Sequence, residues 1–345
     1  MNGRIDRLRE LVDAPFLVTT LTNVRYLTGF QSSNAALLVE PDRVRLFADF
    51  RYAEAGRRVP GVEFVITKRA IPSDLATRLD GALAFEADTL TYTHYETLAA
   101  GGLELVPTHA VVEGLRAVKD EGEIAAIRAA TDVTNAAFQR FSEERVIGRS
   151  ERELAWRMNT FFHELGADGW AFPTIVAAGA NSANPHTTPG ARVVEEGQTV
   201  VVDAGATLDG YCSDCTRTFA AGPLEGELRE AYDVCLRAQL AGLDAVRPGV
   251  TGLDADAAAR RVIADAGYGE YFGHGLGHGV GIDVHELPRL STESTETLAA
   301  GNVTSVEPGI YLPERGGIRI EDLVLVRDDG PQIFTSFTKE LVTLS

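Results

Sequence analysis

Four carboxylates stand in two matched pairs inside short apolar segments. Residues 199–219 read as strand, turn and strand, with Asp209 and Gly210 supplying the turn chemistry. A turn centred between Leu208 and Asp209 sets Asp203 opposite Asp214, and opposed residues share a face with Cβ atoms about 5 Å apart. In residues 303–322 a turn centred on Glu314 sets Glu307 opposite Glu321 in the same way. Val200, Val201 and Val202 precede one acid, and Ile318, Ile320 and Leu323 surround another, so solvated positions are disfavoured. Buried, uncompensated carboxylates cost several kcal/mol each, and at such separations their charges repel. A salt-bridged strand pair near Arg217 would account for Asp203 and Asp214 alone. Two pairs call for two divalent cations, whose chemistry is to activate water for hydrolysis.

Residues 272–286, FGHGLGHGVGIDVHE, add His274, His278 and His285 in a glycine-rich run where backbone can approach a site closely. One of these histidines would complete a dinuclear centre. Oxygen-dominated ligation favours manganese, with cobalt, magnesium or zinc as lesser candidates, and argues against copper or iron–sulfur. The alternating glycines do not spell G-x-G-x-x-G, and no P-loop spacing occurs, so nucleotide binding has no support. Cys212 and Cys215 form a C-x-x-C, but they flank Asp214 in a strand and point to opposite faces, which reads as packed, reduced thiols. With Cys235 they are too few for a disulfide framework and fit a reducing compartment.

The elements that must carry these residues divide at about position 106. Before it, helical patterns at 4–12 and 51–58 alternate with strand patterns at 16–19, 36–40, 44–47 and 62–66, which suggests a small α/β domain. Residues 107–119 show no clear period and read as a linker. Beyond it, Ile124, Ile127, Ala130, Val133, Ala137 and Phe141 recur at helical spacing. Ser150 and Glu153 form a capping box for a helix closed at Gly166. Further helices are predicted from about 224 to 245 and from Thr251 to near Gly267, among strand-rich segments. The expectation is an α+β chain: an N-terminal α/β domain over 1–115 and a helix-and-sheet domain over 116–345.

At 345 residues, with 45% hydrophobic and 24% charged side chains, the chain has the size and composition of two globular domains. Its net charge of −18 would repel phosphate backbones and anionic lipid, so neither nucleic acid nor membrane is an expected partner. No apolar run reaches the roughly 18 residues needed to cross a bilayer, and no leader pattern opens the chain. A cytoplasmic location is the expectation.

The stretches VVDAGATLDGYCSDCTRTF, HGLGHGVGIDVHE, SVEPGIYLP and GIRIEDLV, in that order and spacing, resemble the metallopeptidases of the pita-bread fold, the group of methionine aminopeptidase, aminopeptidase P and prolidase. The resemblance implies a dinuclear ligand set at Asp203, Asp214, His278, Glu307 and Glu321, with Asp214 and Glu321 shared by both metals. It implies that His186, in an Asn-Pro-His context, contacts substrate, and that His285 stabilises the reacting carbonyl. Glu307 would also shuttle a proton. His274 matches a pocket or supporting histidine, and Arg319 the arginine behind the carboxylates.

The leading part, with NVRYLTGF at 23–30 and DFRYAEAG at 49–56, is similar to the N-terminal, creatinase-like domain of the proline-specific branch. That implies small peptide substrates cleaved before proline, and a homodimer in which this domain reaches the neighbouring active site. Arg51 is the residue of this domain singled out for that role, with a surface salt bridge as the alternative. Arg289, in HELPR, resembles the arginine that holds the free carboxylate of a C-terminal proline, which favours Xaa-Pro dipeptides; a surface arginine beside Glu286 is the plainer account. Aminopeptidase P is the rival activity, and a peptidase-like binding module without activity is the rival of another class.

Overall fold

The structure is a computed structural model describing residues 3–345, and the chain separates into two compact units, one ending at Arg116 and one spanning Ala117–Ser345. No helix among the described residues is long and apolar enough to cross a membrane.

The first unit is built on a six-stranded sheet, in spatial order Glu63–Thr67, Val44–Asp49, Ala35–Val39, Phe16–Val18, Ala82–Glu86 and Glu104–Thr108. The middle strands pair antiparallel and the outer ones parallel. Leu17, Ala36, Leu38, Phe47, Leu83 and Phe85 fill its core. The expected linker at 107–119 is instead the end of the sixth strand followed by a helix, Val111–Ala117. Seven residues are too few to display a helical period, and Pro107 sits in an edge strand, where a missing N–H is tolerated. The helix Leu21–Thr28, closed by Gly29 at φ 73°, was likewise too short to stand out, and the helix predicted over 51–58 shrinks to a 3₁₀ turn and Ala53–Gly56.

In the second unit, long helices with well-defined starts back the sheets. Glu121–Phe141 and Glu151–Glu164 both open with complete capping boxes, Asp120 with Glu123 and Ser150 with Glu153. They cover a four-stranded sheet ordered Thr343–Leu344, Thr216–Ala221, Gln198–Asp203, Ile175–Ala178, through a core including Phe138, Phe141, Met158, Phe162, Val200 and Phe219. Gly226–Ala245 and Gly252–Asp265 pack beneath the strands of the second carboxylate segment, burying Tyr232, Leu276, Val306, Ile310, Ile318 and Ile320. The five-stranded sheet there runs Glu286–Leu290, Gly277–Gly279, Val303–Val306, Asp322–Leu325, Gln332–Ile333.

A close contact joins the strand Gly316–Arg319 to the 3₁₀ turn Gly179–Ala183. The Gly317 N–H donates to Ser182 Oγ at 2.7 Å, and a Cβ on Gly317 would overlap the Ser182 carbonyl oxygen. Only glycine permits that approach, two residues before Arg319. Gly317→Ala is expected to lower stability by about 1–3 kcal/mol, as overpacking of a closed contact does. Urea denaturation would show it as a lower midpoint with an unchanged slope; an unmoved midpoint would mean the strand and the 3₁₀ turn separate at no cost.

Candidate metal centre and active site

The first carboxylate pair is placed by a two-residue turn at Asp209 and Gly210, both at positive φ (49° and 73°). Leu208 pairs with Tyr211, Thr207 with Cys212, and Asp203 with Thr216. Asp214 is therefore not the direct partner of Asp203, as the sequence arithmetic had it, because the turn is centred one position later. The shift moves the pairing by two residues, and side chains alternate with period two, so Asp203 and Asp214 still share a face. In the second segment Glu314 occupies the turn at φ 64°; Gly309 pairs with Arg319 and Val306 with Asp322, and that single register runs through Glu307 and Glu321. The two hairpins converge: one carboxylate oxygen each from Asp203, Asp214 and Glu321 lie within 4.8 Å of one another.

His278 joins them from the strand Gly277–Gly279. Gly277 is needed there because a Cβ would overlap the Ser305 carbonyl. Nδ1 of His278 lies 3.1 Å from the Gly279 carbonyl, which can only accept, so this nitrogen carries the proton. Nε2 faces Glu307 Oε1 at 3.2 Å and Asp214 Oδ2 at 3.7 Å. Burial opposes a charged ring, but the hydrogen bond and charge of Glu307 outweigh it and raise the His278 pKa. Burial also presses on Glu307, yet the hydrogen bond and charge of His278 hold its carboxyl at about 2.

Arg319, buried, supports the cluster from behind. It reaches Asp203 Oδ2 at 2.6 Å, Thr216 Oγ1 at 3.0 Å and the Tyr311 hydroxyl at 3.0 Å. The Thr216 hydroxyl in turn donates to Glu321 Oε2 at 2.8 Å. Tyr311, pushed up to about 12 by burial, donates to His274 Nε2 at 2.9 Å, and His274 Nδ1 donates to the Gly275 carbonyl at 2.8 Å. His274 thus lines the cavity with both ring nitrogens engaged. Tyr311 and Thr216 escaped sequence reasoning; their signal was adjacency in register, Tyr311 two positions along the strand from Gly309, the partner of Arg319.

These residues fit a divalent cation pair. Oδ1 of Asp203 and Oε1 of Glu321 are buried without a hydrogen-bond partner among the described residues. Burial first, then the charge of Glu321, drives Asp214 well above the usual carboxylate range; burial and the charges of Glu307 and Asp203 do the same to Glu321. Burial raises Asp203 as well, against the pull of Arg319. Carboxylates with one imidazole are the donor set of hard to borderline divalent ions.

The cluster floors a cavity of about 400 Å³, with Phe172, Pro173, Ile175 and Val284 among its apolar walls. His186 and His285 stand exposed at its rim. The His285 ring meets that of His278 edge-on, centroids 4.4 Å apart, and partial burial and the charge of His278 lower its pKa. Beside it, Lys119 Nζ meets Glu286 Oε2 at 3.0 Å, both side chains almost fully buried, while Glu286 Oε1 accepts from the Asp283 N–H. Arg289 is exposed on Glu286–Leu290, cross-strand from His278, and does not line the cavity. Arg51 lies in the other unit, in a two-bond ion pair with Asp49 at 2.8 Å and over the Tyr52 ring.

A carboxylate-and-histidine floor beneath an open cavity, on two facing hairpins, defines a hydrolytic metal site. The chain belongs to metallopeptidase family M24, whose signature matches residues 125–328, and residues 4–118 match the Creatinase/Prolidase N-terminal domain. A solved Xaa-Pro dipeptidase from Bacillus anthracis is 38% identical, with 99% of each chain covered and a TM-score of 0.95. The Xaa-Pro dipeptidase of Pyrococcus horikoshii is 33% identical over 99% of both chains. A solved X-Pro aminopeptidase from Thermotoga maritima is 32% identical, covering 98% of this chain and 100% of its own, with a TM-score of 0.89. The fold is therefore the α+β one that the motifs imply, a creatinase-type N-terminal domain followed by a pita-bread domain, and the protein is a metal-dependent peptidase.

Repulsion among the acids gives a crossed expectation. In chelator, Asp214→Asn should melt at or above the unaltered protein, because the cost of burying that carboxylate beside other acids, or of protonating it, is gone. With manganese in excess the order reverses, since metal a thousandfold above its Kd adds about 4 kcal/mol to the form that binds it. Calorimetry with and without chelator, alongside metal analysis, reads both; a metal-free Asp214→Asn melting well below the metal-free parent would contradict the repulsion.

Proposed function

We propose that this peptidase hydrolyses the bond preceding proline in Xaa-Pro dipeptides. The observation that carries the reading is the five-residue carboxylate-and-imidazole floor under a cavity of about 400 Å³, in a chain similar along its whole length to Xaa-Pro dipeptidases. Asp203, Asp214, His278, Glu307 and Glu321 would hold two divalent ions, Asp214 and Glu321 shared between them, with manganese preferred over cobalt, zinc or magnesium. Such ions supply a water acidified toward neutrality and polarise the scissile carbonyl.

The chain's own groups do the rest. Glu307, ionised and hydrogen-bonded by Ser305 Oγ at 3.0 Å, accepts a proton and returns it to the departing proline nitrogen. His285 donates to the oxygen that gains charge as the carbonyl is attacked. His186 orients the substrate, with His274 behind it as part of the pocket wall. Arg289, outside the cavity wall on the neighbouring strand, would have to swing over the rim to grip the terminal carboxylate, for which a guanidinium offers two parallel hydrogen bonds. We further propose a cytoplasmic homodimer acting on small peptides, with neither nucleic acid nor membrane as partner and with Arg51 presented to the neighbouring subunit's site.

The similarity to an X-Pro aminopeptidase keeps removal of one residue from longer peptides as the second reading. Manganese-loaded protein is expected to cleave Ala-Pro at least tenfold more efficiently than Ala-Pro-Pro or Ala-Pro amide, and Arg289→Ala to erode that preference through KM. Equal cleavage of Ala-Pro and Ala-Pro-Pro would promote the aminopeptidase. Full metal occupancy with no cleavage of any of the three would leave a binding module.

His285→Ala should lower kcat by about 10²- to 10³-fold, the cost of losing one oxyanion donor, with bound metal unchanged. An undiminished kcat would reduce His285 to a structural residue.

A further inference from the structure

Glu151 opens the helix Glu151–Glu164, yet its side chain is completely buried. No ion pair to its carboxylate occurs among the described residues. Its neighbours are neutral N–H donors: Ala178 N at 2.9 Å and Asn181 Nδ2 at 3.0 Å on Oε1, Asn181 Nδ2 again at 3.1 Å and Gly190 N at 3.0 Å on Oε2. Two of these donors stand at the ends of one segment, 178–190, and His186 lies between them. The backbone ties the same base: Glu151 N donates to the Arg192 carbonyl at 3.0 Å and Arg152 N to the Gly190 carbonyl at 3.1 Å.

Inside the segment little else holds the chain. Beyond the 3₁₀ turn at Gly179–Ala183, residues 184–190 belong to no strand or helix, and the bonds within the loop are single turns such as Thr187 N to the Asn184 carbonyl at 3.3 Å. A loop without a ladder takes its shape from side-chain clasps. Ser182 provides one, bonded to Gly179, Thr199 and Gly317. Arg319 provides another, reaching the Pro185 carbonyl at 3.3 Å next to His186. Glu151 closes the base.

We propose that Glu151 is a positioning residue for His186: its buried carboxylate fixes both ends of the 178–190 loop and so presents the imidazole at the cavity wall. A carboxylate is required because every group around it donates. Glutamine would turn an NH₂ toward an N–H donor, losing one hydrogen bond and setting two donors face to face. The inference rests on the reading of His186 as the group that orients the substrate.

The test uses the full-length, manganese-loaded protein, with Glu151→Gln, Asn181→Ala and His186→Ala made singly and in pairs with His186→Ala. Against Ala-Pro, Glu151→Gln should lose about 10- to 100-fold in kcat/KM, the usual scale for losing a supporting group or misplacing a reacting one, and Asn181→Ala should lose less. Bound metal should stay the same. In the His186→Ala background neither substitution should cost anything more, a non-additivity that general loosening of the fold would not produce. Unchanged kcat/KM in both single variants, or losses that multiply in the paired variants, would overturn the positioning role. If Glu151→Gln does not fold, Asn181→Ala and its pair carry the cycle. The ring-proton NMR signal of His186, read in the magnesium-loaded protein because manganese would broaden it away, adds a readout that needs no turnover: it should shift or broaden in Asn181→Ala while that of His285 stays, and an unmoved His186 signal overturns the inference. An unaltered protein inactive on every Xaa-Pro peptide, but with the His186 signal displaced in the variant, would instead retire the dipeptidase reading and keep the clasp.

Discussion

Four carboxylates with one buried guanidinium among them set the terms for this molecule. For the three whose oxygens lie within 4.8 Å of one another, Asp203, Asp214 and Glu321, an effective dielectric near 20 gives a repulsion of roughly 3–4 kcal/mol or more for each fully charged pair. Arg319 and His278 answer part of that charge. The layer immediately behind is handled differently. Asp322, the residue after Glu321, accepts from Arg217 Nη2 at 2.8 Å, Lys339 Nζ at 2.7 Å and Gln239 Nε2 at 3.0 Å, so it is neutralised by the protein itself. Arg217 also binds the Glu321 main-chain carbonyl and so steadies the ligand strand. One layer is closed by its own cations and the other is left acidic toward the cavity. The contrast marks where positive charge from outside the chain belongs.

That charge arrangement dictates much of the architecture around it. A single hairpin can offer two acids on one face; offering four to one point requires two hairpins face to face, each with a hydrophobic back. Helices Glu121–Phe141 and Glu151–Glu164 supply the back of one, Gly226–Ala245 and Gly252–Asp265 that of the other. The meeting faces cannot be apolar, and they are stitched by polar groups instead: Thr218 Oγ1 donates to the Arg319 carbonyl and accepts from its N–H, and Thr216 links Arg319 to Glu321. The Gly317–Ser182 contact sets how closely the strand Gly316–Arg319 approaches the 3₁₀ turn Gly179–Ala183.

The sequence showed what depends on parity and failed where distance along the chain intervened. Asp203 and Asp214 could be put on one face although the turn was placed one residue early, because a two-residue slip in register does not change the face. Glu307 and Glu321 were placed with the correct register since Glu314 does sit at the turn. His278 could be chosen among the three histidines of residues 272–286 only through the family motif; geometry adds the reason, a proton pinned on Nδ1. By contrast, Glu151 with Ala178, Lys119 with Glu286 and Arg319 with Asp203 meet across 27, 167 and 116 residues, and no local period announces such partners. The short helices Leu21–Thr28 and Val111–Ala117 were lost for the opposite reason, having too few residues to show a period.

The four histidines at the cavity illustrate how hydrogen bonding rather than residue type assigns a role. His278 spends Nδ1 on a carbonyl and leaves Nε2 toward the acids, the state that a metal ligand needs. His274 spends both nitrogens inside the protein, and its pKa is lowered chiefly by burial, so it serves as a neutral acceptor that fixes the Tyr311 hydroxyl, which in turn orients Arg319 toward Asp203. His186 and His285 are the exposed pair, the two rings that the proposed function sets against a substrate. Rings at a rim lose the packing that would otherwise hold them, so the elements behind them must be stiff: for His285 the buried Lys119–Glu286 pair, costly to separate because either partner alone would be a buried charge, and for His186 the buried carboxylate of Glu151. Charge is thus used twice in this unit, left partly unbalanced at the floor to draw cations in and closed by hydrogen bonds behind the rim to keep the loops in place.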